Sequence, residues 1–288
     1  MITLRPFRRT AGPTRRGALA LAAAMALGLA LPPALLPGRA AAGTINDYIR
    51  LDILDGGTTA RGTQLAGLRL TMAPGWKTYW RSPGDAGIPP VFDWGGSDNL
   101  QAVAITWPSP VAFEQSGMRS IGYKDSVVLP VELTPRVAGQ PIRLRGVVDL
   151  GVCHDVCIPQ QLGFDLLLDP DAPRHAAISA ALANRPYSAA EAGVTAVACT
   201  LAPTPDGLRL TARITMPPAG GREVAVIEPG NPRIWASEAQ TSRSGNVLTA
   251  TSELMHSEGG AMAIDRKALR LTVLGESHAV DIRGCQAG

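Results

Sequence analysis

The chain has 288 residues, with 27 Lys and Arg against 24 Asp and Glu and 45% hydrophobic residues. Six of the basic residues and none of the acidic ones fall in residues 1–42, so the remainder carries a net charge of about −3; with no basic stripe interleaved with aromatics, this argues against nucleic acid as a partner. Gly (31) and Pro (24) together stay below the roughly 25–30% share that marks low complexity, and read as turn markers.

The N-terminus reads as an export signal. Arg5, Arg8, Arg9, Arg15 and Arg16 precede an apolar run from Ala18 to Leu31, and "GRAAAG" offers a small-residue cleavage site after Ala42. The run is shorter than the roughly 20 residues that span a bilayer, which favours a cleaved signal over an anchor. "TRRGAL" also fits a twin-arginine signal loosely. No later segment approaches 18 consecutive apolar residues, so a soluble mature protein of about 245 residues is expected, exported to the periplasm, where disulfides persist.

From Thr44 to Asp169 apolar and polar residues alternate in short runs, among them "YIRLDIL", "GLRLTMAPG", "AVAITW", "VVLPVEL", "IRLRGVVDL" and "GFDLLL". That period of two, bounded by Gly, Pro and Asp, predicts half-buried strands. "RHAAISAALANRP" then reads as a short helix closed by Pro186, a connector over residues 171–189. Strand patterning resumes in "VTAVACTL", "LRLTARITM", "EVAVIE", "NVLTATSEL", "ALRLTVLG" and "HAVDIRG". Six or seven short strands in each half predict an all-β chain of two immunoglobulin-like β-sandwich domains joined by a short helical linker, over residues 44–170 and 190–288.

Four cysteines carry the chemistry. Extended chain would hold the Cα atoms of Cys153 and Cys157 about 13 Å apart, against the roughly 4.4–6.8 Å of a disulfide, so the chain must turn at His154, Asp155 and Val156. Strand-like flanks put the pair near a hairpin tip, where so short a loop gives a bridge little entropic stabilisation. A bond between Cys199 and Cys285 would instead close about 86 residues and contribute roughly 4–5 kcal/mol, so these two read as a structural disulfide, with two unpaired thiols as the alternative. A protonated His154 would lower the pKa of a neighbouring thiol, whereas ionised Asp155 would raise it; both also fit solvated turn positions.

"GVCHDVCIP", preceded by "GWKTYWRSPGDAGIPP" and "WPSPVAFEQSGMRSIGYKDSVVLPVEL" and followed by "QQLGFDLLL", resembles the N-terminal periplasmic domain of the DsbD-type thiol:disulfide interchange proteins, nearest the branch that includes the copper-sensitivity suppressor ScsB. The resemblance covers residues 44–170; for the second half it is architectural only. It implies an immunoglobulin-like sandwich with a redox pair, acting as a protein-disulfide reductase component that passes electrons from a donor to oxidised periplasmic proteins. By that resemblance Cys157 forms the intermolecular mixed disulfide and Cys153 resolves it. A loop bearing aromatics shields the pair in the family, which assigns shielding to Phe113, Met118 and Tyr123, with Tyr79 and Trp80 lining the site; each also fits an ordinary core position. No bound cofactor is implied. Longer members continue into transmembrane helices and a thioredoxin-like domain, so the implied partners are thioredoxin-like periplasmic proteins and a separate membrane-embedded electron donor.

Two other readings stand beside this one. Cys-x3-Cys with an adjacent His suits Cu(I) in a copper-tolerance protein, although the cysteine motif of Sco-type copper chaperones opens a helix where "IPQQLGFDLLLDP" returns as a strand. The other is a non-catalytic periplasmic binding module with a structural hairpin disulfide. His175, His256 and His278 show no ligand spacing and are expected at the surface.

Overall fold

The alternating runs fold as strands in the computed structural model, which describes residues 47–115, 117–260 and 262–288. The expected export signal, residues 1–42 with its cleavage site after Ala42, lies outside the described residues. Ten strands come first: β1 (Ile49–Thr58), β2 (Gln64–Met72), β3 (Lys77–Tyr79), β4 (Val91–Asp93), β5 (Leu100–Ile105), β6 (Val111–Gln115), β7 (Met118–Lys124), β8 (Ser126–Pro135), β9 (Arg143–Cys153) and β10 (Cys157–Leu167). One helix follows, α1 (Ala176–Ala183). Beyond it lie β11 (Tyr187–Ser188), β12 (Ala196–Thr204), β13 (Gly207–Thr215), β14 (Val224–Glu228), β15 (Ile234–Ala236), β16 (Gln240–Ser244), β17 (Val247–His256), β18 (Arg270–Leu274), β19 (Ala279–Arg283) and β20 (Gln286–Ala287). Each half has more strands than the six or seven expected. Most of the extra ones span two to five residues, too few to display a period, and in β7 Gly122 and Lys124 interrupt the alternation.

The fold is all-β and immunoglobulin-like. In the first half one sheet runs β1-β2-β8-β5 and the other β10-β9-β3-β7-β6, with β4 also on β9. In the second half the sheets are β11-β19-β18-β14 and β15-β17-β13-β12-β20, with β16 on β17. Pairing is antiparallel except for two short contacts, β11 with β19 and β12 with β20. Inward side chains fill each sandwich: Leu68, Leu129 and Val131 meet Leu144, Val148 and Leu150 in the first, and Leu210 and Ile214 meet Leu271 and Ile282 in the second. Each such side chain contributes roughly 1.5–3 kcal/mol on full burial.

Two departures from strict alternation have physical causes. Positions 64–68 of β2 are all buried because α1 covers the second face of that sheet. Ile178 packs there on Leu54 and Leu65, and Gly67 leaves room for it, since a Cβ would lie 2.8 Å from Ile178 Cγ1. The helix is thus more than the connector expected. His175 caps it, accepting from the Ala177 amide at 3.2 Å. The run "VAVI" of β14 is buried throughout because it serves two cores: Val224 and Val226 join the first sandwich, Ala225 and Ile227 the second.

Candidate functional site

Strands β9 and β10 pair without a slip from Arg143↔Leu167 to Cys153↔Cys157, and this register brings the two cysteines face to face. Residues 154–156 close the hairpin, with the His154 amide donating to the Val156 carbonyl at 3.2 Å. The sulfurs are bonded, with Cα atoms 4.2 Å apart. Cys153 is fully buried, whereas Cys157 is exposed. Cys199 and Cys285 form a second disulfide, Cα to Cα 5.8 Å, joining β12 to the segment after β19.

Strand β3 positions the group next to the pair. Lys77 opposes Cys153, and alternation puts Lys77 and Tyr79 on the sulfur face while Thr78 and Trp80 turn to the other. The Tyr79 hydroxyl lies 2.9 Å from Cys153 Sγ and 3.1 Å from Cys157 Sγ. With the sulfurs bonded to each other only the hydroxyl has a proton to donate, and the Ala86 carbonyl at 3.3 Å competes for it. Burial pushes the phenol above its ordinary pKa, so it remains protonated at neutral pH.

The space for this ring is made by glycines. A Cβ on Gly151 would stand 3.1 Å from Tyr79 Cε2 and 2.9 Å from Ile88 Cβ, and one on Gly87 would stand 3.0 Å from Tyr79 Cδ1. Phe113, from β6, closes the other side and clusters with Tyr79 and Cys153. The Lys77 ammonium sits 4.6 Å from the centroid of the Phe113 ring. Burial, and then the Lys124 ammonium, push the Lys77 pKa down, with Asp155 opposing.

The remaining expected residues are distributed differently. Trp80 and Tyr123 do not line the pair: Thr78 opposes Tyr123, so both aromatics lie on the inner face of the sheet, in the sandwich core. Trp80 is fully buried, and the Tyr123 hydroxyl donates to the Pro108 carbonyl at 2.9 Å. The family resemblance assigned both to the site; period two turns them to the face opposite Tyr79. Met118 shares the sulfur face by register but stands 48% exposed near the tip of the β6–β7 hairpin. Asp155 Oδ2 is 2.8 Å from His154 Nδ1, and the His154 ring tilts against Trp76 at 5.9 Å. Sequence reasoning missed Lys77, the 82–90 loop and Gly151. Their signals were present: "GDAG" inside the aromatic segment and a Gly two residues before Cys153.

Among the described residues no group of three His, Cys, Asp or Glu side chains is arranged to hold a metal ion, and no helix is long and apolar enough to cross a membrane.

The family described as "Thiol:disulfide interchange protein DsbD, N-terminal" matches residues 53–169, which span the whole hairpin and the strands around it. The solved N-terminal periplasmic domain of ScsB from Proteus mirabilis is 26% identical, with a TM-score of 0.66 over 84% of this chain and 95% of that one. The chain carries a DsbD/ScsB-type N-terminal domain. The ScsB likeness also extends past the DsbD-type residues, since it covers more of the chain than they do. The reduced N-terminal domain of DsbD from Neisseria meningitidis is 21% identical over 42% of this chain and 86% of that one, with a TM-score of 0.25. No curated protein matches the chain. Within the DsbD-type domain the bonded cysteine hairpin is the feature suited to thiol:disulfide interchange.

Proposed function

We propose that this chain is a periplasmic thiol:disulfide interchange component, with residues 44–170 as the exchange domain, 171–189 as connector and 190–288 as a supporting sandwich. The observation that carries the reading is an asymmetry within one disulfide: Cys157 is exposed and Cys153 is wholly buried, with the Tyr79 phenol within reach of both sulfurs. An incoming thiolate attacks Cys157 Sγ, the Cys153–Cys157 bond breaks, and the electron pair departs on Cys153, whose thiolate accepts the Tyr79 hydrogen bond. The donor's second thiolate then attacks its own sulfur in the mixed disulfide and releases Cys157. The donor dithiol is oxidised to a disulfide and the pair is reduced by two electrons. In the return half, the Cys157 thiolate attacks a client disulfide and Cys153 resolves the mixed disulfide, releasing reduced client.

The partners fitting this chemistry are thioredoxin-like proteins, with a membrane-embedded donor upstream. The DsbD/ScsB likeness supports both the chemistry and the periplasmic location. The test uses full-length protein and a thioredoxin-like partner that lacks its resolving cysteine and whose remaining thiol is activated as a mixed disulfide with thionitrobenzoate, which departs when a thiolate of this chain attacks. Cys153→Ser is expected to accumulate a covalent conjugate through Cys157, and Cys157→Ser to give little. Conjugates trapped mainly by Cys157→Ser, or by neither variant, would overturn the reading.

A further inference from the structure

Two glutamates of the second sandwich grip the segments that cover the redox pair. Arg81, two residues after Tyr79, donates from Nε and Nη2 to the carboxylate oxygens of Glu228 at 3.0 and 2.9 Å, and Nη2 also reaches Thr272 Oγ1 at 3.4 Å. Its guanidinium lies 3.8 Å from the centroid of the Trp80 ring, and its side chain is only 12% exposed. A two-pronged Arg–carboxylate contact of this kind fixes orientation as well as distance. From Arg81 the 82–90 loop passes over Tyr79, where the Pro83 carbonyl accepts from the Ile121 amide at 2.9 Å and the Ala86 carbonyl from the Tyr79 hydroxyl.

The second grip is on the hairpin carrying Phe113. Arg119 of β7 donates its backbone amide to Glu238 Oε1 at 3.0 Å, and its Nε faces Glu238 Oε2 at 3.9 Å. The loop and the hairpin are also locked together. Gly84, in the left-handed region at φ +83°, lies so close to the Arg119 carbonyl that a Cβ would stand 2.9 Å from that oxygen. Val224 and Val226, on the same strand as Glu228, share the first sandwich's core with Ile121.

We propose that the second sandwich sets access to the redox pair: through Arg81 and Arg119, Glu228 and Glu238 hold the 82–90 loop and the β6–β7 hairpin closed over Tyr79, Phe113 and Cys153. Arg81 and Arg119 are positioning residues that act through Tyr79 and Phe113. Cys157 is exposed as a residue, but its Sγ sits 3.1 Å from the covered Tyr79 hydroxyl in a part-buried contact, so release of either grip loosens the cover and a thiol reaches that sulfur more often. The inference builds on the exchange reading but needs only that the disulfide reacts with a thiol.

The test measures reduction of the Cys153–Cys157 bond by dithiothreitol, and its reoxidation, in the full chain. Glu238→Ala and Arg81→Lys are expected to raise both rates roughly fivefold, the equivalent of about 1 kcal/mol of barrier. The equilibrium with glutathione stays unchanged, because a cover that opens more often speeds both directions alike. Glu238→Gln, whose amide oxygen still accepts from the Arg119 amide, gives a smaller rise and guards against misfolding of the alanine variant. Glu253→Gln, which breaks the exposed Arg209–Glu253 pair elsewhere on the second sandwich, leaves the rates alone. A lower melting temperature with unchanged rates in both Glu238 variants and Arg81→Lys would overturn the proposal, as would a shifted equilibrium with only one rate altered. Wild-type protein that fails to exchange with thioredoxin-like proteins, while the variants still gain rate with dithiothreitol, refutes the partner reading and leaves the grip standing.

Discussion

Tyr79 holds its hydroxyl 2.9 Å from Cys153 Sγ at a place where the two residues are 1% and 0% exposed. A hydrogen bond to a thiolate in so dry a site is worth more than one in water, because no solvent competes for either partner. The phenol therefore favours breaking the disulfide toward Cys153 and stabilises the reduced pair.

Tyr79→Phe keeps the ring in its glycine-lined slot and deletes the donor. A hydrogen bond to a charged group contributes about 1.5–3 kcal/mol, so reduction should slow by roughly 10- to 100-fold. The reduction potential should fall by roughly 30–60 mV, since the reduced form loses its support. Stopped-flow reduction by a small dithiol and equilibration with glutathione measure the two quantities; an unchanged rate would remove the phenol from the chemistry.

Gly151→Ala drives a methyl group against Ile88 and Tyr79. Overpacking of this kind costs about 1–3 kcal/mol, and it should appear as a lower denaturation midpoint. Gly163→Ala is the comparison: it lies on β10 of the same hairpin with nothing within 4 Å of its Cβ position, and should be nearly neutral.

The two disulfides should differ in what they contribute to stability. Chain entropy assigns the Cys199–Cys285 bond, spanning 86 residues, about 4–5 kcal/mol, and the Cys153–Cys157 bond, spanning four, about 2 kcal/mol. Denaturation of the two double-serine variants under oxidising conditions gives both numbers. Equal losses would argue against an entropic division of labour.

Glu191 provides a pH signature. The Arg185 guanidinium, helped by the Ser188 amide and hydroxyl, pulls its carboxyl from the ordinary 4.5 down to about 2. A depressed carboxylate stabilises the fold above its unfolded pKa and loses that contribution as pH falls toward the folded one. The stability gap between wild type and Glu191→Gln should therefore be full above pH 4.5 and close progressively toward pH 2. A gap that stays constant over that interval would contradict the assignment.

The cysteine hairpin and the long strands were legible in the sequence because period two and a five-residue Cys-to-Cys span leave few geometries. Tyr79 could be placed beside the pair, but its hydroxyl contact with both sulfurs could not. That contact depends on the Lys77↔Cys153 register between strands about 75 positions apart. The same ignorance of register put Trp80 and Tyr123 on the wrong face. The Arg81–Glu228 contact spans 147 positions and left no local trace, since an Arg after a Trp and a Glu ending a strand are ordinary surface patterns.

Strand β14 has a practical consequence for anyone who would take the protein apart. Its valines serve one hydrophobic interior and its neighbours another, so no cut point in the chain separates the halves without baring oily surface on both products. A fragment ending near residue 190 should be prone to self-association unless Ile121 and the groups around it are replaced by polar ones.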